Sequence, residues 1–249
     1  MGDISKWKMH RACILTIFLL AVSVLASCTS PITSGGGTGG ASNVQIDWIN
    51  FIKFNGITYS GYLLNQGRQL VESDLGPEFA KVAFKVSGNV NSPGYQIKNG
   101  DAAFLDAGTV VYTVKGYKPV FRLAVHDKNQ QNSIVLFESD TNPNAKKGVD
   151  LLDIGGKVKY IGINSVQDEK TELAAITNQK QVAALVTMVL TAPVDQSHQS
   201  QNERQYFIAF HLADGTIVTR SFGMQSGELS RGMLLPKAFG DAITQALKK

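Results

Sequence analysis

The rhythm of apolar and polar residues changes three times along this chain. From Ala12 to Val24 the side chains are apolar except for Thr16 and Ser23. A helix of that length is too short for a ~30 Å hydrocarbon core and predicts the h-region of a signal peptide. From Thr29 to Asn43 Gly, Ser and Thr take over, with Gly35, Gly36, Gly37, Gly39 and Gly40. Such a segment buries too little apolar surface to order itself, and as a Gly-rich coil it spans roughly 20 Å. From Val44 to about Asp140 a period of two prevails. Phe51 to Phe54 and Ile57 to Ser60 flank Asn55-Gly56, the dipeptide that a two-residue hairpin turn favours. That turn sets Phe54 opposite Ile57 and Ile52 opposite Tyr59. Further strands are expected with Val82, Phe84 and Val86 on one face, at Val110 to Lys115, and at Val120 to Val125 pairing with Ser133 to Glu138.

Beyond the polar, Pro143-containing stretch Thr141 to Gly148 the pattern becomes mixed. Lys157 to Ile163 predicts a strand. Asn178 to Thr191 predicts a helix, with Val182, Leu185, Val186 and Val189 on one face, a cap from Thr177 or Asn178, and a stop at Pro193. Asp195 to Gln205 predicts a polar loop. Tyr206 to Ala213 and Thr216 to Phe222 flank Asp214-Gly215, a second hairpin signal. After a short strand ending near Leu234, Pro236 opens a closing helix that buries Phe239, Ile243, Ala246 and Leu247. The fold class expected is mixed β and α+β. Residues 44–145 form a small all-β barrel or sandwich, and residues 146–249 a β-α-β-β-(β)-α domain with two helices on one face.

Ahead of that folded part stand residues 1–27, with the positive charges of Lys6, Lys8 and Arg11 before the apolar run, and a tether at 28–43. Leu25-Ala26-Ser27-Cys28 resembles the lipobox of bacterial lipoproteins. The resemblance implies a diacylglycerol on the Cys28 thiol and cleavage before it. Two or more acyl chains, at about 0.8 kcal/mol per buried CH₂, hold a protein at a membrane where one does not. The same residues also allow an uncleaved signal anchor, or ordinary secretion with an incidental cysteine. Only Cys13 and Cys28 occur in the chain, so the folded part has no disulfide, CxxC pair or thiolate zinc site. The formal charge is +4, and Lys6, Lys8 and Arg11 against Asp3 account for half of it. The remainder carries no basic stripe with interleaved aromatics, so nucleic acid is not an expected partner.

Signatures of chemistry are sparse. His126, His198 and His211 show no metal-ligand spacing, and His211 reads as a half-exposed sheet residue opposite Val218, on the face away from Phe210 and Leu212. Asp140-x-Asn142-x-Asn144 opens like a calcium loop, but Ala145 and Leu151 stand where glycine and a bidentate glutamate are needed. Gly155-Gly156-Lys157 lacks the remainder of a phosphate loop, no GxSxG elbow occurs, and Ser5-x-x-Lys8 lies in the leader. The carboxylates Asp101 with Asp106, or Asp150 with Asp153, are candidate pairs for acid–base work. Lys115, Tyr117, Lys118 and Arg122 cluster around the turn at Pro119 and form the candidate ligand-binding patch, with basic groups beside an aromatic for an anionic polymer, headgroup or sugar.

The stretches Asn55-Gly56-Ile57-Thr58-Tyr59, Gly100-Asp101-Ala102-Ala103-Phe104-Leu105, Val114-Lys115-Gly116-Tyr117 and Asp153-Ile154-Gly155-Gly156-Lys157-Val158 are similar to those of a group of lipoproteins from Gram-positive bacilli. The resemblance implies an address and supplies no activity, cofactor or catalytic residue. The expected function is therefore a palmitate-bearing lipoprotein on the extracytoplasmic face of the cell membrane. It would act as a non-catalytic binding module for an envelope protein or wall polymer, with no cofactor and no metal. An extracytoplasmic hydrolase with a spatially assembled site is the alternative, and a transporter's solute-binding lipoprotein a third reading.

Overall fold

The computed structural model describes residues 46–61, 67–128, 133–197, 205–230 and 232–248. Two antiparallel-rich sheets and two helices account for its regular structure, the mixed β and α+β class that the apolar rhythm predicts. The first sheet has eight strands: β1 (Phe51–Phe54), β2 (Ile57–Ser60), β3 (Leu75–Lys81), β4 (Phe84–Lys85), β5 (Asp101–Ala102), β6 (Val110–Val114), β7 (Arg122–Asp127) and β8 (Ser133–Thr141). They run in the order β3-β6-β7-β8-β2-β1-β5-β4 and curl into a half-barrel. β1 is an inner strand, paired with β2 on one side and β5 on the other.

The β1–β2 hairpin has the register its turn dictates, Phe54 opposite Ile57 and Ile52 opposite Tyr59. Asn55 (φ 52°) and Gly56 (φ 79°) are both left-handed, as a type I′ turn needs. The strand expected at 82–86 is a correction. Only Phe84–Lys85 pairs there, and Phe84 faces outward while Val82 and Val86 are buried. Here the chain bends to satisfy backbone groups, with the amides of Ala83 and Phe84 both reaching the Gly100 carbonyl, so side-chain alternation fails. β3 lies outside the expected strands, and it contains Gly76 and Pro77, residues depleted in strands.

The second sheet contains β9 (Val158–Ser165), β10 (Glu172–Ile176), β11 (Tyr206–Leu212), β12 (Ile217–Phe222), β13 (Glu228–Leu229) and β14 (Met233–Leu234), in the order β10-β9-β11-β12-β13-β14. Helix α1 (Gln179–Thr191) follows β10, and helix α2 (Lys237–Ala246) closes the fold. The Asn178 side chain caps α1 by accepting from the Gln181 amide at 3.1 Å. The buried face of α1 is Val182, Leu185, Val186 and Val189, and that of α2 is Phe239 and Ile243. These side chains pack on Ile161, Ile163, Ile208, Phe210 and Val218, so both helices cover one face of the sheet. The order of elements is β-β-α-β-β-β-β-α, with β10 before the first helix and one short strand, β13, beyond the expected order.

The second hairpin differs from its expected register by one residue. His211 pairs with Ile217, and Phe210 with Val218. Of the two turn residues only Gly215 (φ 87°) is left-handed. Asp214 is not among the positive-φ residues; its Oδ1 accepts from the amide (2.8 Å) and hydroxyl (2.7 Å) of Thr216, lengthening the loop.

Residues 43–249 form one compact unit. The chain passes from the first sheet to the second between Thr141 and Val158, and this joint is packed. Ala145 belongs to the second sheet's core, Lys147 bridges to Pro193, and a Cβ at Gly148 would collide with the Val189 carbonyl. Phe121, from the first half, lies in that same core. Asn142 and Asn144 form a turn, the Asn144 amide donating to Asn142 Oδ1 at 3.0 Å.

Candidate functional site

The patch expected around Pro119 does not assemble. Lys115 and Lys118 are exposed, but Arg122 is completely buried and Tyr117 half-buried. Arg122 stands on β7 opposite Glu138 of β8 and donates to its Oε1 through Nε (3.0 Å) and Nη2 (2.6 Å). Its remaining nitrogen donates to Thr216 Oγ1 at 2.8 Å, while Arg220 of β12 donates to Glu138 Oε2 at 3.0 Å. The guanidinium of Arg122 lies 4.5 Å from the Tyr117 ring centre and 5.0 Å from that of Phe121. The Tyr117 hydroxyl donates to Asp214 Oδ2 at 2.6 Å. Lys115 Nζ donates to the Ser73 carbonyl at 3.0 Å, and the Lys118 amide to Asp153 Oδ2 at 2.9 Å.

This charged knot joins the first sheet to the β11–β12 hairpin and leaves Arg122 no surface for a ligand. Burial opposes ionisation of Glu138 most strongly, yet the charges and hydrogen bonds of Arg122 and Arg220 outweigh it and hold the carboxyl below its usual range. Burial, aided by the bond to Asp214, pushes the Tyr117 hydroxyl up to about 12. The expectation fails here because the partners of Arg122, Glu138 and Thr216, lie 16 and 94 positions away, beyond any local pattern.

The other candidates fall in separate places. Asp101 accepts from the Tyr95 hydroxyl and the Lys98 amide, and Asp106 pairs with Lys85. Asp150 accepts from the Lys146 and Lys147 amides, and Asp153 pairs with Lys157. Each of these carboxylates is held by its own local donors. His126 stands edge-on to Tyr112 and 3.4 Å from Glu72, beside a surface depression of about 310 Å³ lined by Leu105, Asp106, Thr109 and Tyr112. Cys28 and His198 lie outside the described residues.

The arrangement that the sequence did not disclose is on the open face of the second sheet, opposite the helices. Strand pairing lays small residues across it: Ala175, Gly162, Ala209 and Thr219 are neighbours in one row. On one side of that row stand Tyr160 and His211, on the other Glu172, Asn164 and Phe207. The result is a trough with a floor of glycine and alanine and polar walls.

Each wall has a local cause. Tyr160 and His211 are directly paired across β9 and β11 and stack with ring centres 3.9 Å apart and planes 12° apart, which fixes the imidazole. A β-bulge between Glu172 and Ala174 shifts the pairing of β10, so Glu172 shares the face of Asn164 instead of the core face of Ala174. Asn164 is 2% exposed; its Nδ2 donates to the Glu169 carbonyl at 3.0 Å, and its Oδ1 has no partner. The Thr219 hydroxyl at the end of the floor row is likewise buried without a partner. Across the glycine, His211 Nε2 and Glu172 Oε2 are 3.6 Å apart. Burial pushes the His211 imidazole below its usual value, favouring the neutral ring.

The place that the sequence reading gave His211, a half-exposed sheet position facing away from Phe210 and Leu212, holds. Its neighbours were hidden, because β10 was missed and the bulge that brings Glu172 to it has no sequence mark. No protein-family model, curated protein or solved structure matches the chain. Among the described residues no helix is long and apolar enough to cross a membrane.

Proposed function

We propose that this protein is a lipid-anchored lipoprotein of the cell envelope, a non-catalytic binding module on the extracytoplasmic face of the membrane. One observation carries the reading: a charged start, a short apolar run, Leu25-Ala26-Ser27-Cys28 and a Gly-rich segment follow one another directly ahead of a compact unit that begins near residue 43. The anchor supplies attachment and the tether supplies reach. The trough on the second sheet supplies a recessed surface whose polar groups retain hydrogen-bonding capacity. That surface, and not the turn at Pro119, is the place for a ligand, because the charges of Arg122 are spent internally.

Mass spectrometry of the protein from its native membrane tests the anchor. The expected product begins at Cys28 and carries a diacylglyceryl thioether, and Cys28→Ala should move the protein out of the membrane fraction. An intact Met1, or a free thiol at position 28, would overturn the reading.

A further inference from the structure

We propose that His211, Glu172 and Asn164 form a binding site for one divalent transition-metal cation of the zinc type, seated above Gly162. The inference rests on the reading of the trough as a binding surface and is independent of the lipid anchor.

The geometry begins with the glycine. A methyl group placed on Gly162 would lie 2.5 Å from Glu172 Oε2, 3.2 Å from His211 Nε2 and 3.3 Å from Asn164 Oδ1. Three electron-pair donors from three strands thus converge on one point, which stays clear because this residue has no side chain. The carboxylate and the imidazole stand two strands apart and meet only by leaning over the glycine.

Their 3.6 Å separation is too long for a hydrogen bond. It does suit two ligands sharing one ion, since bonds of about 2.0–2.1 Å to each would open an angle of about 120°. Asn164 supplies a second, independent sign. Its amide is locked by the bond from Nδ2 to the Glu169 carbonyl, which leaves Oδ1 buried and unpaired. A buried acceptor left in that condition is costly, and a cation would offset the cost. The bulge in β10 is the third sign. An uninterrupted strand would have turned Glu172 toward the helices, and the irregularity re-aims it onto the trough.

The donor set selects the ion. One imidazole nitrogen with a carboxylate and an amide oxygen suits zinc, nickel, cobalt or copper, whereas magnesium and calcium favour oxygen alone. The stack of Tyr160 on His211 presets the ring orientation. Among the described residues no cluster of three or more His, Cys, Asp or Glu occurs, and at this site the third donor is the unpaired amide oxygen of Asn164. The His211 and Glu172 side chains keep 21% and 38% of their surface exposed, so a donor group of a second molecule can approach the ion from their side.

The test uses the full chain in detergent, stripped with a chelator and titrated calorimetrically with zinc chloride alone and, separately, with magnesium chloride. One zinc per chain should bind, with magnesium giving no comparable heat. His211→Ala and Glu172→Gln should each weaken zinc by more than the roughly 10- to 100-fold that supporting second-shell groups are worth. Gly162→Ala should do the same by occupying the point of convergence. Circular dichroism and urea midpoints without metal verify that each variant is folded. As a further readout, cobalt(II) added to the parent should shift the His211 ring resonances before those of the other histidines. Failure of the parent to bind zinc, unchanged affinity in the two ligand variants, or equal binding of magnesium would each overturn the proposal. The result stands apart from the question of the anchor, which the mass of the mature protein decides.

Discussion

The knot of Arg122, Glu138 and Arg220 and the trough of His211, Glu172 and Asn164 both place charged or polar side chains on sheet faces, with opposite outcomes. In the knot every nitrogen of Arg122 has an acceptor, and both oxygens of Glu138 have donors. In the trough the buried amide oxygen of Asn164 has none, and the imidazole and carboxylate stop short of a bond. A polar cluster whose hydrogen-bonding capacity is consumed holds elements together. One whose capacity is left over has something to offer another molecule. The comparison predicts that substitutions in the knot will be felt in stability, and those in the trough in binding.

The largest expected effect is that of Glu138→Ala. It would strand the buried guanidinium of Arg122 and the partly buried one of Arg220 and should cost about 3–5 kcal/mol, measured as a fall in the urea midpoint. A loss under about 1 kcal/mol would remove the distinction between the two clusters.

Acid should act on the same group more gradually. The folded carboxyl of Glu138 is held below its unfolded value, so its contribution is complete above the unfolded carboxylate range, near ~4.3, and is lost as pH falls through the lower folded value. Asp74, Asp153 and Asp214 are depressed in the same direction and add to the trend. Urea midpoints measured downward from pH 5 should therefore decline, and a flat profile would contradict the pairing.

Tyr117→Phe deletes one hydrogen bond at the rim of the knot, the one to Asp214. It should lower stability by about 1 kcal/mol, with no change in metal affinity. His211→Ala is expected to have the smallest effect on folding, about 1 kcal/mol or less, because the ring is half-exposed and gives up mainly its stack with Tyr160. A cost as large as that of Glu138→Ala would make the trough a structural feature.

Sequence periodicity disclosed the parts of this fold whose causes are local. The 3.6-residue spacing of Val182, Leu185, Val186 and Val189 determines the buried face of α1, and Asn55-Gly56 the register of β1 with β2. It failed where a local cue competes with a contact. Asp214-Gly215 has the residues of a two-residue turn, but the Asp214 carboxylate captures Thr216 and moves the register by one. Arg122 has the neighbours of a surface patch, but Glu138 of the adjacent strand and Thr216 from the second half take its hydrogen bonds. In the trough, His211 was correctly placed on its face. Its relation to Glu172 was invisible, because it depends on a bulge in a strand of low apolar contrast, Glu172–Ile176, and on the missing side chain of one glycine.

The position of β1 has a mechanical consequence. This is the first strand of the folded unit, preceded only by the packed stretch of Ile46 and Trp48, and it is stitched to β2 along one edge and to β5 along the other. Traction applied from the side of residue 43 therefore meets two ladders at once and cannot peel away a single border strand. A protein moored by its leading end would resist drag at the point where the pull arrives.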